Sequence, residues 1–130
     1  MIKFRVEGRS GVPPSQQLVQ QVRQALRMGL LTVGDQLPSV REVVSATAVN
    51  PNTVLKAYRD LERQGLVEAR AGHGTFVRGR PPGPPPGTHM RLARAMAASV
   101  REARAAGLDD EAIESLLRTA LQADAEEDIA

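Results

Sequence analysis

The apolar beat of the chain changes period several times. In "IKFRV", residues 2 to 6, apolar and basic residues alternate, the period of two expected of a short strand with one buried face. From Pro14 the beat becomes helical. Leu18, Val19, Val22, Ala25 and Leu26 recur at helical spacing up to Gly29, and a proline suits the first helical turn, so a first helix is expected from Pro14 to just before Gly29. After the turn "TVGDQLP", Ser39 and Glu42 in "SVRE" have the spacing of a capping box, which predicts a short helix from about Val40 to Ala46. A tight turn, "TAV", leads into a third helix.

That helix has two sides. At about 100° per residue, Val54, Ala57, Tyr58 and Leu61 fall on one of them, while Asn52, Lys56, Arg59 and Arg63 fall on the other. Asn50 has the position of an N-cap and Pro51 that of the first helical residue, where its missing N–H costs nothing. Beyond Gly65, "LVEARAGHGTFVRG" reads as strand, turn and strand, with Gly72 and Gly74 bracketing His73. Three helices followed by a β-hairpin is the order of a winged helix-turn-helix.

"RPPGPPPG", Arg80 to Gly87, interrupts all regular structure, because proline lacks a backbone donor and fixes φ; it reads as an extended spacer. The remainder looks wholly helical. Leu92, Met96 and Val100 form one stripe, Gly107 is a helix stop, Asp109 can cap the next start, and Ile113, Leu116, Leu117 and Leu121 form a second stripe. Two such helices make an αα-hairpin that is too small to bury a useful core alone, so both stripes need a partner surface. The expected fold is α+β, mainly α. It divides into a winged helix-turn-helix DNA-binding domain over 1–79, a Pro/Gly linker over 80–87 and a short C-terminal αα-hairpin over 88–130.

Charge sharpens this division. The 130 residues carry a formal net charge of +2, but residues 1 to 80 hold 12 Lys+Arg against 6 Asp+Glu, while 81 to 130 hold 5 against 9. The basic part suggests a polyanionic partner. Other chemistries find little support. No cysteine is present, which excludes disulfides and thiolate metal sites; the two histidines, His73 and His89, lie on either side of the spacer with no third imidazole, so no metal site is expected. "GHG" lacks the Lys-Ser/Thr ending of a phosphate loop, no nucleophile stands at useful spacing from a histidine, and neither an enzyme nor a cofactor is expected. No segment has the apolar length of a membrane span and no signal peptide opens the chain, which leads to a cytoplasmic expectation.

In a helix-turn-helix the first turns of the second helix enter the major groove, where amide, hydroxyl and cationic side chains read base edges. Asn52 and Lys56 are the first choices for base contact. Thr53 and Asn50 are candidates for a base or a phosphate, Asn50 also being the cap, and Arg59 and Arg63 fall against the backbone or in solvent. His73, at the hairpin tip, faces either a phosphate or minor groove or water.

The stretches "GDQLPSVREVV" and "VNPNTVLKAYRDLERQGLVEARAGHGTFV", with the helix before them, resemble the winged-helix domain of GntR-family transcription regulators over roughly residues 12 to 78. The resemblance implies DNA contact by Ser39 and Arg41 after "LP", by Asn50, Asn52, Thr53 and Lys56 at the recognition helix, and by Gly72 at the wing tip. One departure bears on specificity. Many members have an arginine where this chain has Pro51 and a basic residue where it has Leu55, so their base contacts do not transfer directly. The "NPNTV" version, the leading "FRVEGRSGVPPSQQL" and the short tail look like the YtrA subfamily, in which a small helical region mediates dimerisation.

The expectation is thus a homodimeric, sequence-specific repressor of a palindromic operator in double-stranded DNA, with the stripes Leu92, Met96, Val100, Ile113, Leu116, Leu117 and Leu121 at the dimer contact. Two alternatives stand beside it: a winged-helix module that docks a protein, and a regulator whose tail senses an effector.

Overall fold

The computed structural model describes residues 2–129, with side chains up to Ala125. Its elements run α1 (Pro14–Met28), α2 (Val40–Thr47), α3 (Pro51–Arg63), β1 (Val67–Arg70), β2 (Gly74–Val77), α4 (Pro86–Ala105) and α5 (Asp110–Ile129). Two compact units result, residues 1–90 and 91–130.

The first unit is a winged helix built on α1 and α3. Leu18, Val22, Ala25 and Leu26 of α1 meet Val54, Ala57, Tyr58 and Leu61 of α3, and Val43 of α2 closes the core from the side. Leu18, Val54 and Leu61 are fully buried, and a side chain of this kind stabilises a fold by about 1.5–3 kcal/mol when removed from water. Leu66, Val67 and Val77 extend the same core under the hairpin.

The helix ends follow their sequence signals. Ser39 accepts a hydrogen bond from the Glu42 N–H at 3.1 Å, and the Ser39 N–H donates to the Glu42 carboxylate at 3.2 Å, a complete capping box. The α1 helix stops at Gly29, whose φ of 77° is left-handed. Its stop also makes room: a Cβ there would lie 2.9 Å from the Cβ of Pro86. The expected extended spacer is shorter than 80–87, because α4 already begins at Pro86, where proline is well placed in a first helical turn.

The period-two arm at Ile2–Val6 forms no strand. Its faces are sorted as the alternation requires, with Phe4 buried, Ile2 and Val6 against the core, and Lys3 and Arg5 exposed. What differs is the partner. Instead of a neighbouring strand, side-chain amides of α1 satisfy the backbone: Gln21 accepts from the Arg5 N–H (3.0 Å) and donates to the Arg5 carbonyl, and Gln17 does both for Glu7 (2.9 Å each). A carboxamide carries one acceptor and donors in the spacing of a peptide group, so glutamines four apart on a helix serve alternate residues of an extended chain. Periodicity reports burial and is silent about who supplies the hydrogen bonds.

A second element escaped the sequence reading. The segment 34–37, expected as part of a turn, pairs with β2: Leu37 N–H donates to Thr75 O (2.8 Å), Val77 N–H to Asp35 O (2.7 Å) and Gly34 N–H to Val77 O (2.9 Å). β2 therefore has β1 on one edge, in antiparallel register Val67↔Val77 to Arg70↔Gly74, and this short segment on the other.

The second unit consists of the remainder of α4 and α5. Gly107 (φ 102°) ends the first helix, Asp109 caps the second through the Ala112 N–H at 2.9 Å, and Arg104 pairs with Asp110 at 2.8 Å. Val100, Ala103 and Ile113 are half-buried, while Leu92, Met96, Leu116, Leu117 and Leu121 stay exposed, Met96 and Leu121 at 64%.

Tyr58, the one tyrosine, ties α3 to the start of α2: its buried hydroxyl donates to Pro38 O at 2.6 Å. Burial first, then the nearby Glu42 carboxylate, pushes the phenol above its ordinary value. Tyr58→Phe leaves the Pro38 carbonyl unpaired and is expected to cost about 1–2 kcal/mol in urea unfolding at neutral pH. A phenol whose folded pKa is raised gives a stabilisation that is complete below about pH 10 and lost as pH rises. The gap between wild type and Tyr58→Phe should therefore shrink above that pH.

Candidate nucleic-acid interface

The residues expected to contact DNA sit on three pieces of the first unit: the start of α2, the outer side of α3 and the hairpin tip. Each is held by a different local device. In α3, Asn50 accepts from the Asn52 N–H at 2.8 Å, and since the backbone group is a donor, the acceptor must be the amide oxygen of Asn50. The cap thus leaves the two N–H groups of the Asn50 side chain free to donate outward. Capping and contact are compatible at this residue. The same holds for Ser39, whose oxygen accepts from Glu42 while its own O–H proton stays available.

Asn50, Asn52, Lys56 and Arg59 are exposed along α3, and Thr53 is half-buried beside them. The mixed polarity of the helix is complete, since Val54, Ala57, Tyr58 and Leu61 are buried on the other side. Lys56 and Arg59 make no ion pair among the described residues, nor does Arg41, exposed in the first turn of α2. Arg63, expected against the DNA backbone or in solvent, is exposed and pairs with Asp60 three residues earlier on the same helix. An i,i+3 pair of this kind partly neutralises the C-terminal end of α3 and leaves the unpaired cations at its start and middle.

The hairpin tip is positioned by a residue that the sequence reading did not single out. Gln36 donates through Nε2 to the carbonyl of His73 at 3.1 Å, and its backbone pairs opposite Phe76. Gly72 and Gly74 both have positive φ, 77° and 120°, and a Cβ on Gly74 would come within 2.5 Å of Gln36 Nε2. The backbone conformation calls for glycine, and a side chain there would also push the Gln36 amide aside. Gly72 has open space around it and, like His73, is exposed. A glutamine in a short turn before a helix carries no signal of this role; only the pairing of segment 34–37 with β2 reveals it. Arg70, on β1, lies over the Phe76 ring at 4.6 Å and 3.7 Å from Glu68.

In the 91–130 unit, Leu92, Met96, Val100, Ile113, Leu116 and Leu117 line a shared groove of about 400 Å³, and Leu121 lies outside that lining. Among the described residues no cluster of His, Cys, Asp or Glu could hold a metal ion, and no helix is long and apolar enough to cross a membrane.

Residues 14–77 match the family described as "Bacterial regulatory proteins, gntR family". The HTH-type transcriptional regulator Rv1152 of Mycobacterium tuberculosis is 39% identical over 105 residues, which cover 81% of this chain and 83% of that protein. The chain belongs to the GntR family. The HTH-type transcriptional repressor YtrA of Bacillus subtilis is 42% identical over 74 residues, 57% of either chain. The chain thus spans little more than half the length of that relative. Among solved structures, YtrA from Sulfolobus acidocaldarius, a GntR-family transcription factor, superposes with a TM-score of 0.56 at 26% identity, covering 75% of this chain and 99% of that one. The matched family region includes all three pieces of the surface and stops at the end of β2.

Gly74→Ala combines a strained φ with displacement of the Gln36 amide, and strain of this kind costs about 1–3 kcal/mol. Hydrogen exchange of the amides at 72–76 is expected to accelerate at least tenfold in this variant, with the exchange of α1 and α3 amides changed far less.

Proposed function

We propose that the protein is a transcriptional repressor that binds a palindromic operator in double-stranded DNA as a homodimer. The observation that carries this reading is the division of α3 into a buried apolar side and an exposed side bearing Asn52, Lys56 and Arg59, with no acid paired to either cation among the described residues. Unpaired cations on a rigid helix offer charge to a polyanion without first breaking an ion pair.

In this reading the first turns of α3 enter the major groove. Asn52 and Lys56 read base edges, and Asn50 and Thr53 touch a base or the adjoining phosphate. Ser39, Arg41 and Arg59 hold phosphates and so set register rather than sequence preference. The hairpin tip, Gly72 and His73, lies over the minor groove. Pro51 and Leu55 supply no charge to the reading face, so discrimination rests more on the amides and on Lys56. A DNA partner implies a cytoplasmic location.

The second unit supports the dimer. Five large apolar side chains exposed on two short helices are an unfavourable surface for a monomer, and a second copy of the hairpin covers them. A two-fold arrangement would present two reading helices to half-sites about one DNA turn apart.

Two measurements test the reading. Lys56→Ala is expected to weaken operator binding at least tenfold in gel shifts with an unchanged melting temperature; affinity within twofold of wild type removes Lys56 from the base-contacting set. Leu116→Glu puts a charge into the apolar groove and should shift the sedimentation equilibrium from dimer to monomer. Its helical circular dichroism should keep the winged-helix contribution while operator affinity falls.

A further inference from the structure

A second cationic element stands outside α3 and the hairpin. The arm at residues 2–7 turns Ile2, Phe4 and Val6 toward the core, and Lys3 and Arg5 are exposed, with neither cation in an ion pair among the described residues. The backbone carrying them is not loose. Gln21 grips both polar groups of Arg5, and Gln17 grips both of Glu7, while Phe4 is buried between core side chains.

The arm also lies where charge on it would matter. Lys3 and Arg5 border a shallow hollow together with Pro38, Glu42 and Ala46, so the arm runs beside the first turn of α2, the turn that carries Ser39 and Arg41. Glu42 is the acid facing this hollow, and its carboxylate already receives the Ser39 N–H. Lys3 and Arg5 thus share the hollow with one acid engaged in a cap, and Arg41 is exposed on the same first turn of α2.

We propose that this arm is a further DNA-contacting element, in which Lys3 and Arg5 bind backbone phosphates next to those held at the start of α2, and that Gln21 is its positioning residue. The inference rests on the DNA-binding reading given above. Long cations on an extended arm beside α2, away from the reading helix, meet phosphates and not base edges, so their contribution is independent of sequence. Fixing the arm beforehand matters physically. A disordered basic arm loses backbone entropy when it settles on DNA, whereas an arm already clamped by amides and by Phe4 has little left to lose.

The test uses fluorescence anisotropy of the full chain with an operator duplex and a scrambled duplex over a range of salt concentrations. For Lys3→Gln with Arg5→Gln, two phosphate contacts are lost in each protomer of the dimer, four per operator, and the slope of log K against log salt is expected to fall by about 3.6. Affinity should fall by the same factor for both duplexes, and the melting temperature should hold because both side chains are exposed. The charge-preserving pair, Lys3→Arg with Arg5→Lys, should keep the wild-type slope. Gln21→Ala, which retains both cations but frees the arm, should weaken both duplexes equally. An unchanged slope in the double glutamine variant, beside a steep wild-type slope, overturns the role of the arm. Wild-type protein with no salt-dependent affinity for either duplex overturns the DNA-binding reading itself.

Discussion

The packing of one side of α3 against α1 is the constraint on which everything else in the first unit depends. Val54, Ala57, Tyr58 and Leu61 have to be buried, and that requirement fixes the rotation of the helix about its axis. Once the rotation is fixed, Asn52, Lys56 and Arg59 have no choice but to face outward. The outer face is therefore as well determined as the core, although none of its side chains is packed. Tyr58 extends the constraint beyond its own helix, since its hydroxyl on Pro38 O sets the distance between α3 and the start of α2. The turn between α2 and α3 completes the relation, with Ala48 in a left-handed conformation and Val49 buried beneath it.

Around this centre, side-chain amides take over work that backbone pairing does in larger sheets. Gln17 and Gln21 hold the N-terminal arm, and Gln36 holds the hairpin tip. A two-stranded hairpin is marginal alone. Here it is supported on its second edge by segment 34–37 and beneath by Leu66, Val67 and Val77. The wing is thus anchored to the segment that leads into α2, and its tip inherits a defined position relative to the helices. Neutral amides suit this role because they supply donor and acceptor together without adding charge beside a cationic surface.

The 91–130 unit follows different physics. Its helices are well capped, by Gly107, Asp109 and the Arg104–Asp110 pair, yet their apolar stripes remain largely in water. Capping and propensity define two helices, but roughly 40 residues cannot enclose their own apolar side chains. That mismatch between local order and incomplete burial is the feature on which the proposed dimer rests. In the winged unit Leu30, Val33 and Leu55 are exposed, but Val54, Ala57 and Leu61 at its centre are fully covered.

The local signals were strong enough for the sequence by itself to determine the three helices of the winged unit, their caps at Ser39 and Asn50, the stops at Gly29 and Gly107, the hairpin, and the two-sided character of α3. Each depends on residues within one or two turns of each other, where spacing and capping chemistry decide the outcome. The motif order also carried the family. Tertiary structure alone decided the rest. It made an alternating arm into an extended segment clamped by glutamines and drew part of a turn onto the second edge of β2. Those outcomes join groups up to about 40 residues apart or depend on which of several polar partners is nearest, as with Gln36 and His73. Periodicity records which side of a segment is buried, and it holds no information on which distant group will satisfy a backbone N–H.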